Sequence, residues 1–194
     1  MLKEIYLVDA VRTPIGKFGG SLKDIPGSEL GVIVTRELLK RTGVESGLID
    51  SVVLGNVSAA GDVHNGARHI VTYTGMKDDC GAHTVNRLCG SGMQAIISAV
   101  MEIETNNSDL SIAAGYENMS RIPYLMTQGR WGVKMGPMNV TDGVLEILSD
   151  PVDKYSAGIL GENLAEKYNI SREEQDKFAF ESQTKYFNAD KNER

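Results

Sequence analysis

TVNRLCGSGMQAIISAVMEI, residues 84–103, passes from strand to helix through one cysteine and three small residues. Residues 84–88 read as a short buried strand leading straight into Cys89, Gly90, Ser91 and Gly92. Met93, Ile96, Ile97, Val100, Met101 and Ile103 then trace an apolar stripe at helical spacing, read as core packing. That helix ends near Asn106 and Asn107, and residues 110–114 read as the next strand.

Upstream the same alternation continues. Residues 52–57 read as a strand running into the small-residue loop SAAGDVHNGA (58–67), and a helix over 65–74 is stopped by Gly75. Earlier still, Ser28 reads as the N-cap of a helix carrying Leu30, Val32, Ile33, Leu38 and Leu39 and closed by Gly43. Residues 5–11 read as a first strand, ended by RTPIGKFGGSL (12–22), whose proline and glycines cannot continue regular structure. Four strands alternating with three helices specify an α/β fold, a mostly parallel sheet covered by helices.

Beyond Gly115 the texture changes. Residues 116–155 are rich in Met, Gly and Pro, with one turn or short helix at 145–148. Helices return over 159–168 and 171–188, the second opened by Ser171 and Glu174 at capping-box spacing. The expected division is an α/β core over residues 1–115 and an inserted, mostly helical subdomain over 116–194, closing in the polar KNER (191–194).

The bulk composition excludes several functions. The chain has 194 residues, 41% hydrophobic and 24% charged, and a formal net charge of -6 without a Lys/Arg block. A nucleic-acid binder needs a basic face, so that class is set aside. Two cysteines without CxxC spacing do not make a metal site. The apolar N-terminal run is broken by Lys3, Glu4 and Asp9, which suits neither a signal peptide nor a membrane span. Cytoplasmic residence with reduced thiols is the resulting expectation.

Cys89 is the candidate catalytic residue. The first-turn N–H groups of a helix lack backbone partners and carry partial positive charge, so a thiolate placed there is stabilised and nucleophilic. Gly90 and Gly92 permit a sharp turn and a close approach to an acyl group. On position alone, a buried cysteine acting as a small hydrophobe is an equal alternative. Cys80 follows Asp78 and Asp79, whose charges disfavour a thiolate, and reads as structural or incidental. His64, His69 and His83 read as loop or helix-surface residues.

NRLCGSGMQAI (86–96) resembles the active-site signature of the thiolases, the acetyl-CoA acetyltransferases and 3-ketoacyl-CoA thiolases. VDAVRTPIGKFGGSL (8–22), GNVSAAGDVHNGAR (55–68), AAGYENMSRIPY (113–124), RWGVKMG (130–136) and GENLAEKYNISREEQDKFAFESQ (161–183) are similar to further family segments in the family's order. The resemblance spans the whole chain and turns the reading of Cys89 toward catalysis. It implies a ping-pong acyl transfer in which Cys89 takes the acyl group of an acyl-CoA and a second acyl-CoA, as its carbanion, displaces it. It also implies coenzyme A thioesters as substrates and no tightly bound cofactor.

The family's histidine, asparagine and second cysteine come from GHPxGxSG, NEAF and CxGxG segments of its C-terminal half, which are not in this chain. The resemblance therefore implies the N-terminal half only, without the C-terminal thiolase domain, working as a homo-oligomer or with a C-terminal half. A non-catalytic remnant acting as an oligomerisation or interaction module is the alternative. A ketosynthase-type condensing enzyme fits the flanking motifs less well. Leu148 and Ser156 fall where the family's loop domain borders the pantetheine arm. SAGILGEN (156–163) departs from the family's HMGxTAEN, with Ser156 and Ala157 in place of histidine and methionine, so acetoacetyl-CoA specificity does not carry over. Ala114 replaces a usual glycine, and RWGVKMG is either a tetramer-building region or a surface loop.

Overall fold

The computed structural model describes residues 3–191. Met1, Leu2 and residues 192–194 of the polar KNER end lie outside them. The chain divides into two compact units, Met1–Tyr124 and Leu125–Arg194. The division falls after Tyr124, nine residues beyond the change of texture at 115/116.

The first unit is built on β1 (Ser51–Gly55), every residue of which is buried. It pairs in parallel with β2 (Gly81–Val85) on one side and β3 (Ser111–Gly115) on the other, giving the order β2-β1-β3. Successive side chains of a strand point to opposite faces, and the core follows that alternation. Val52 and Leu54 join Val32, Ala67, Ile70 and Val71, from α1 (Gly27–Thr42) and α2 (Gly66–Tyr73), on one face. Val53 meets Ala95 and Ala99 of α3 (Ser91–Glu104) on the other. The β1–α2–β2 crossover steps outward, and β2–α3–β3 steps back past β1. Right-handed crossovers running in opposite directions must use opposite faces, which is why α3 has its own side of the sheet.

Four sequence expectations change. Residues 5–11 form no strand. Tyr6, Leu7 and Val8 are exposed, while Asp9 pairs with Arg41 (3.6 Å) and Lys3, just upstream, with Asp109 (4.0 Å). Their composition suits a pleated half-buried surface, but among the described residues no strand pairs with them, and only Ile5 and Val11 are partly covered. The strand expected at 84–88 is β2, three residues earlier, because residues 86–88 are spent on a turn.

The apolar stripe of α3 is not all core. Ala95 and Ala99 face the sheet, while Met93, Ile96, Ile97 and Met101 are exposed, since the small alanines allow the closest packing. Finally, Pro26 is the N-cap of α1, and Ser28 lies buried inside the helix. Its N–H and hydroxyl donate to the Asp62 carboxylate at 2.9 and 2.6 Å. Burial opposes the Asp62 charge, but the Ser28 and Val63 donors prevail and hold the carboxyl below the usual range. Asp62 therefore favours the fold at neutral pH, and that contribution is lost as pH falls through its folded-state value.

Other ends match the sequence. Asn65 caps α2 by accepting from the Arg68 N–H at 3.0 Å, and Gly43 and Gly75 are left-handed, at φ 67° and 74°.

The second unit carries the two-residue β5 (Thr141–Asp142) after β4 (Tyr124–Leu125), then α4 (Gly143–Ile147), α5 (Ala157–Tyr168) and α6 (Arg172–Lys191). Both arms of the Ser171/Glu174 capping box form: the Glu174 carboxylate accepts the Ser171 N–H at 2.8 Å, and Ser171 Oγ accepts the Glu174 N–H at 3.2 Å. Neither α5 nor α6 buries a residue.

The Tyr116 ring occupies space left by Gly27, Gly31 and Gly66. A Cβ at Gly66 would collide with the Tyr116 hydroxyl and lie 2.5 Å from Leu54. That hydroxyl is buried and finds no partner among the described residues. Gly66→Ala is expected to lower stability by about 1–3 kcal/mol through overpacking. Tyr116→Phe, which deletes an unsatisfied hydroxyl, should be near neutral alone and should restore part of the Gly66→Ala loss. Urea midpoints of the two single variants and the double variant check this, and additive losses would count against it.

Candidate active site

Cys89 is exposed and stands two residues ahead of α3, with Gly90 as the N-cap. The turn that carries it is closed by its neighbours. The Gly90 N–H donates to the Arg87 carbonyl at 3.0 Å and the Ser91 N–H to the Leu88 carbonyl at 2.9 Å. Ser91 is buried, and its Oγ accepts from the Arg87 N–H at 2.8 Å while donating to the Leu88 carbonyl at 2.7 Å. The Asn86 carboxamide closes the other side, accepting from the Leu88 N–H at 3.0 Å and donating to the Val57 carbonyl at 3.0 Å. The Gly92 and Met93 N–H groups at the start of α3 find no partner among the described residues. They supply the positive helix end that the sequence reading places behind Cys89.

The two glycines do not make the sharp bend. Gly90 has φ -87°, and the left-handed residue of the turn is Leu88, at φ 47°. Gly55, at the end of β1, is where the backbones crowd, because a Cβ there would lie 2.5 Å from the Ser91 carbonyl. Sequence reasoning assigned no role to Asn86, Ser91, Gly55 or Glu117. The available signal was positional: strands ending in Gly55 and Gly115 finish at the same end of the sheet as Cys89.

The other sequence-level candidates separate cleanly. Cys80 is buried, and burial is the main cause that pushes its thiol up, with Asp50, Asp79 and Glu102 adding to it against Arg68. His64 is exposed, and His69 stacks on Tyr73 with centroids 4.3 Å apart. His83 lies in β2 rather than on a loop or helix, its Nδ1 3.5 Å from the Glu102 carboxylate. Among the described residues no side chain hydrogen-bonds the Cys89 sulfur, and no His/Cys/Asp/Glu group could hold a metal.

Leu148 and Ser156 belong to the second unit, where they meet. Leu148 is the C-cap of α4 and Ser156 the N-cap of α5. The Leu148 carbonyl accepts the Ala157 N–H at 3.0 Å, and Ser149 bridges Ser156. A cavity of about 300 Å³ lined by Asp50, Lys77, Asp79, Asn107 and Asp109 lies at the opposite, N-terminal end of the strands from Cys89. Ligands of open α/β sheets use the carboxyl end.

The described residues of the first unit form an α/β protein with an exposed cysteine on a strand-to-helix turn at the carboxyl end of a parallel sheet. A family model for the N-terminal domain of thiolase matches residues 5–194. The chain belongs to the thiolase family. It is 43% identical over 192 residues to a probable acetyl-CoA acyltransferase of Staphylococcus aureus strain COL, an alignment covering 98% of this chain and 49% of that protein. An acetyl-CoA acetyltransferase structure from Bacillus anthracis superposes with TM-score 0.89 at 42% identity, over 94% of this chain and 46% of the other. Human mitochondrial 3-ketoacyl-CoA thiolase in complex with CoA gives TM-score 0.88 at 35% identity, over 93% and 46%. The chain spans about half the length of the curated relatives it matches. No helix among the described residues is long and apolar enough to cross a membrane.

In the native chain at neutral pH, iodoacetamide is expected to modify Cys89 and to leave Cys80 at least on the order of tenfold slower. Peptide mapping with and without denaturant checks this, and comparable native rates at the two thiols would contradict the burial difference.

Proposed function

We propose that this chain is the acyl-carrying half of a thiolase-class acyltransferase. The observation that carries the reading is Cys89, exposed on its turn ahead of α3 within a chain of this family. Its sulfur attacks the thioester carbonyl of an acyl-CoA, the carbonyl–sulfur bond to CoA breaks, and CoA leaves as the thiol after taking up a proton. The overall reaction is the reversible condensation and thiolysis linking two acyl-CoA molecules with a 3-ketoacyl-CoA and free CoA. Coenzyme A thioesters are substrates in this reading, and no resident cofactor is needed.

Residues 116–194 serve as a CoA-facing loop subdomain, with Leu148 and Ser156 bordering the pantetheine arm. Support for those two positions is their adjacency at the α4–α5 junction. The exposed apolar residues of α3 favour a partner that covers them, either a C-terminal thiolase half or a second copy. The same partner would bring the acid/base groups that the resemblance assigns to the C-terminal half. A reducing cytoplasm suits an active thiol.

Mixing the chain with a C-terminal half taken from the 42%-identical relative and adding acetyl-CoA should give an intact-mass increase of one acetyl group. The adduct should vanish in Cys89→Ser and persist in Cys80→Ser. An acetyl-free Cys89 in the complemented protein would sink the proposal.

A further inference from the structure

Leu88 holds a backbone conformation that an L residue bearing a Cβ does not favour. Its φ of 47° is left-handed, and the glycines at 90 and 92, which would take that conformation freely, do not adopt it. The bonds that hold Leu88 there form a continuous chain. The Leu88 N–H donates to Asn86 Oδ1 at 3.0 Å, and Asn86 Nδ2 donates to the Val57 carbonyl at 3.0 Å. Val57 is gripped from the far side by Glu117, whose carboxylate accepts the Val57 N–H at 2.8 Å and the Ser58 N–H at 3.1 Å. The same carboxylate accepts from Asn56 Nδ2 at 3.2 Å.

These residues follow the three strands of one sheet. Asn86 comes directly after β2, Val57 just after β1 and Glu117 just after β3. The line from Glu117 through Val57 and Asn86 to Leu88 therefore ties the carboxyl ends of all three strands together beside Cys89. Neither Glu117 nor Asn86 hydrogen-bonds the Cys89 sulfur.

We infer that Asn86 and Glu117 are positioning residues that lock Leu88 left-handed and so aim Cys89 at the start of α3. The inference rests on reading Cys89 as the nucleophile and adds what sets its direction. A side chain that merely ties loops together would affect stability and leave the reactivity of the folded state alone. An aiming role affects the reactivity, because a thiol turned away from the positive helix end is less often the reactive thiolate.

The test uses the full chain and iodoacetamide, following Cys89 alkylation by mass at neutral pH and well below the melting temperature of each variant. Asn86→Ala should slow Cys89 on the order of tenfold, the population change that a left-handed penalty represents. Asn86→Asp, which keeps the acceptor for the Leu88 N–H, should slow it less. Glu117→Gln should also slow it, and gives an independent reading if Asn86→Ala melts too low to assay. The deciding variant is Leu88→Gly in the Asn86→Ala background, because glycine takes the left-handed conformation unaided and should restore the rate. Unchanged or faster alkylation in both Asn86→Ala and Glu117→Gln overturns the inference. So does a double variant as slow as Asn86→Ala. Iodoacetamide needs no acyl donor, so a failure of acetyl-CoA to label Cys89 in the protein complemented with a C-terminal half would defeat the acyltransferase reading without touching this result.

Discussion

A side chain at position 55 would meet the Ser91 carbonyl at 2.5 Å, and the site depends on its absence. β1 is buried throughout and pairs on both edges, so its end is a fixed point in the first unit. Because Gly55 presents only backbone, the start of α3 can sit directly against that point. Ser91 is then buried, its hydroxyl bonds the turn on both sides, and Cys89 is left projecting into solvent. Two further backbone groups at the same strand end add to the scaffold: the Asn56 N–H reaches the Val85 carbonyl at 3.2 Å, and the Tyr116 N–H reaches the Gly55 carbonyl at 3.3 Å.

Much of this was legible in the residues, for physical reasons. Alternating strands and helices imply parallel pairing, and β1, α2, α3 and β3 fall where period and punctuation put them. Position alone left Cys89 open between a reactive thiol and a small buried hydrophobe; the structure exposes its side chain, and the reading as a nucleophile rests on the family segments around it. The misplacements are equally instructive. Residues 5–11 carry strand composition, but a strand exists only through a partner, and composition does not say whether one is supplied. The left-handed residue is Leu88 rather than a glycine because the side chain of Asn86 and the hydroxyl of Ser91 hold it, and such tertiary control is invisible to residue preference. Ser28 looked like a cap because the sequence does not reveal that Asp62, thirty-four residues on, supplies the carboxylate.

The two cysteines show how one fold sets opposite fates for one functional group. Cys80 directly precedes β2, in the core cluster that α2 joins, and is buried, whereas Cys89 follows the same strand and is exposed. The eight residues between them, 81–88, run from one end of the sheet to the other. A parallel sheet has its helix N-termini at only one of those ends. The chemistry of a thiol here is decided by which end of the strand it occupies.

The three strands begin at Ser51, Gly81 and Ser111, and each pairing joins residues the same place along its strand. β1 therefore reaches β2 across thirty positions and β3 across sixty. Chain-closure entropy grows so slowly that doubling the span costs only about 0.6 kcal/mol. The longer connection is thus hardly handicapped in the race to assemble. The order in which the two edges of β1 are zipped is left to the helices, with the well-buried α2 face competing against the alanine seam of α3.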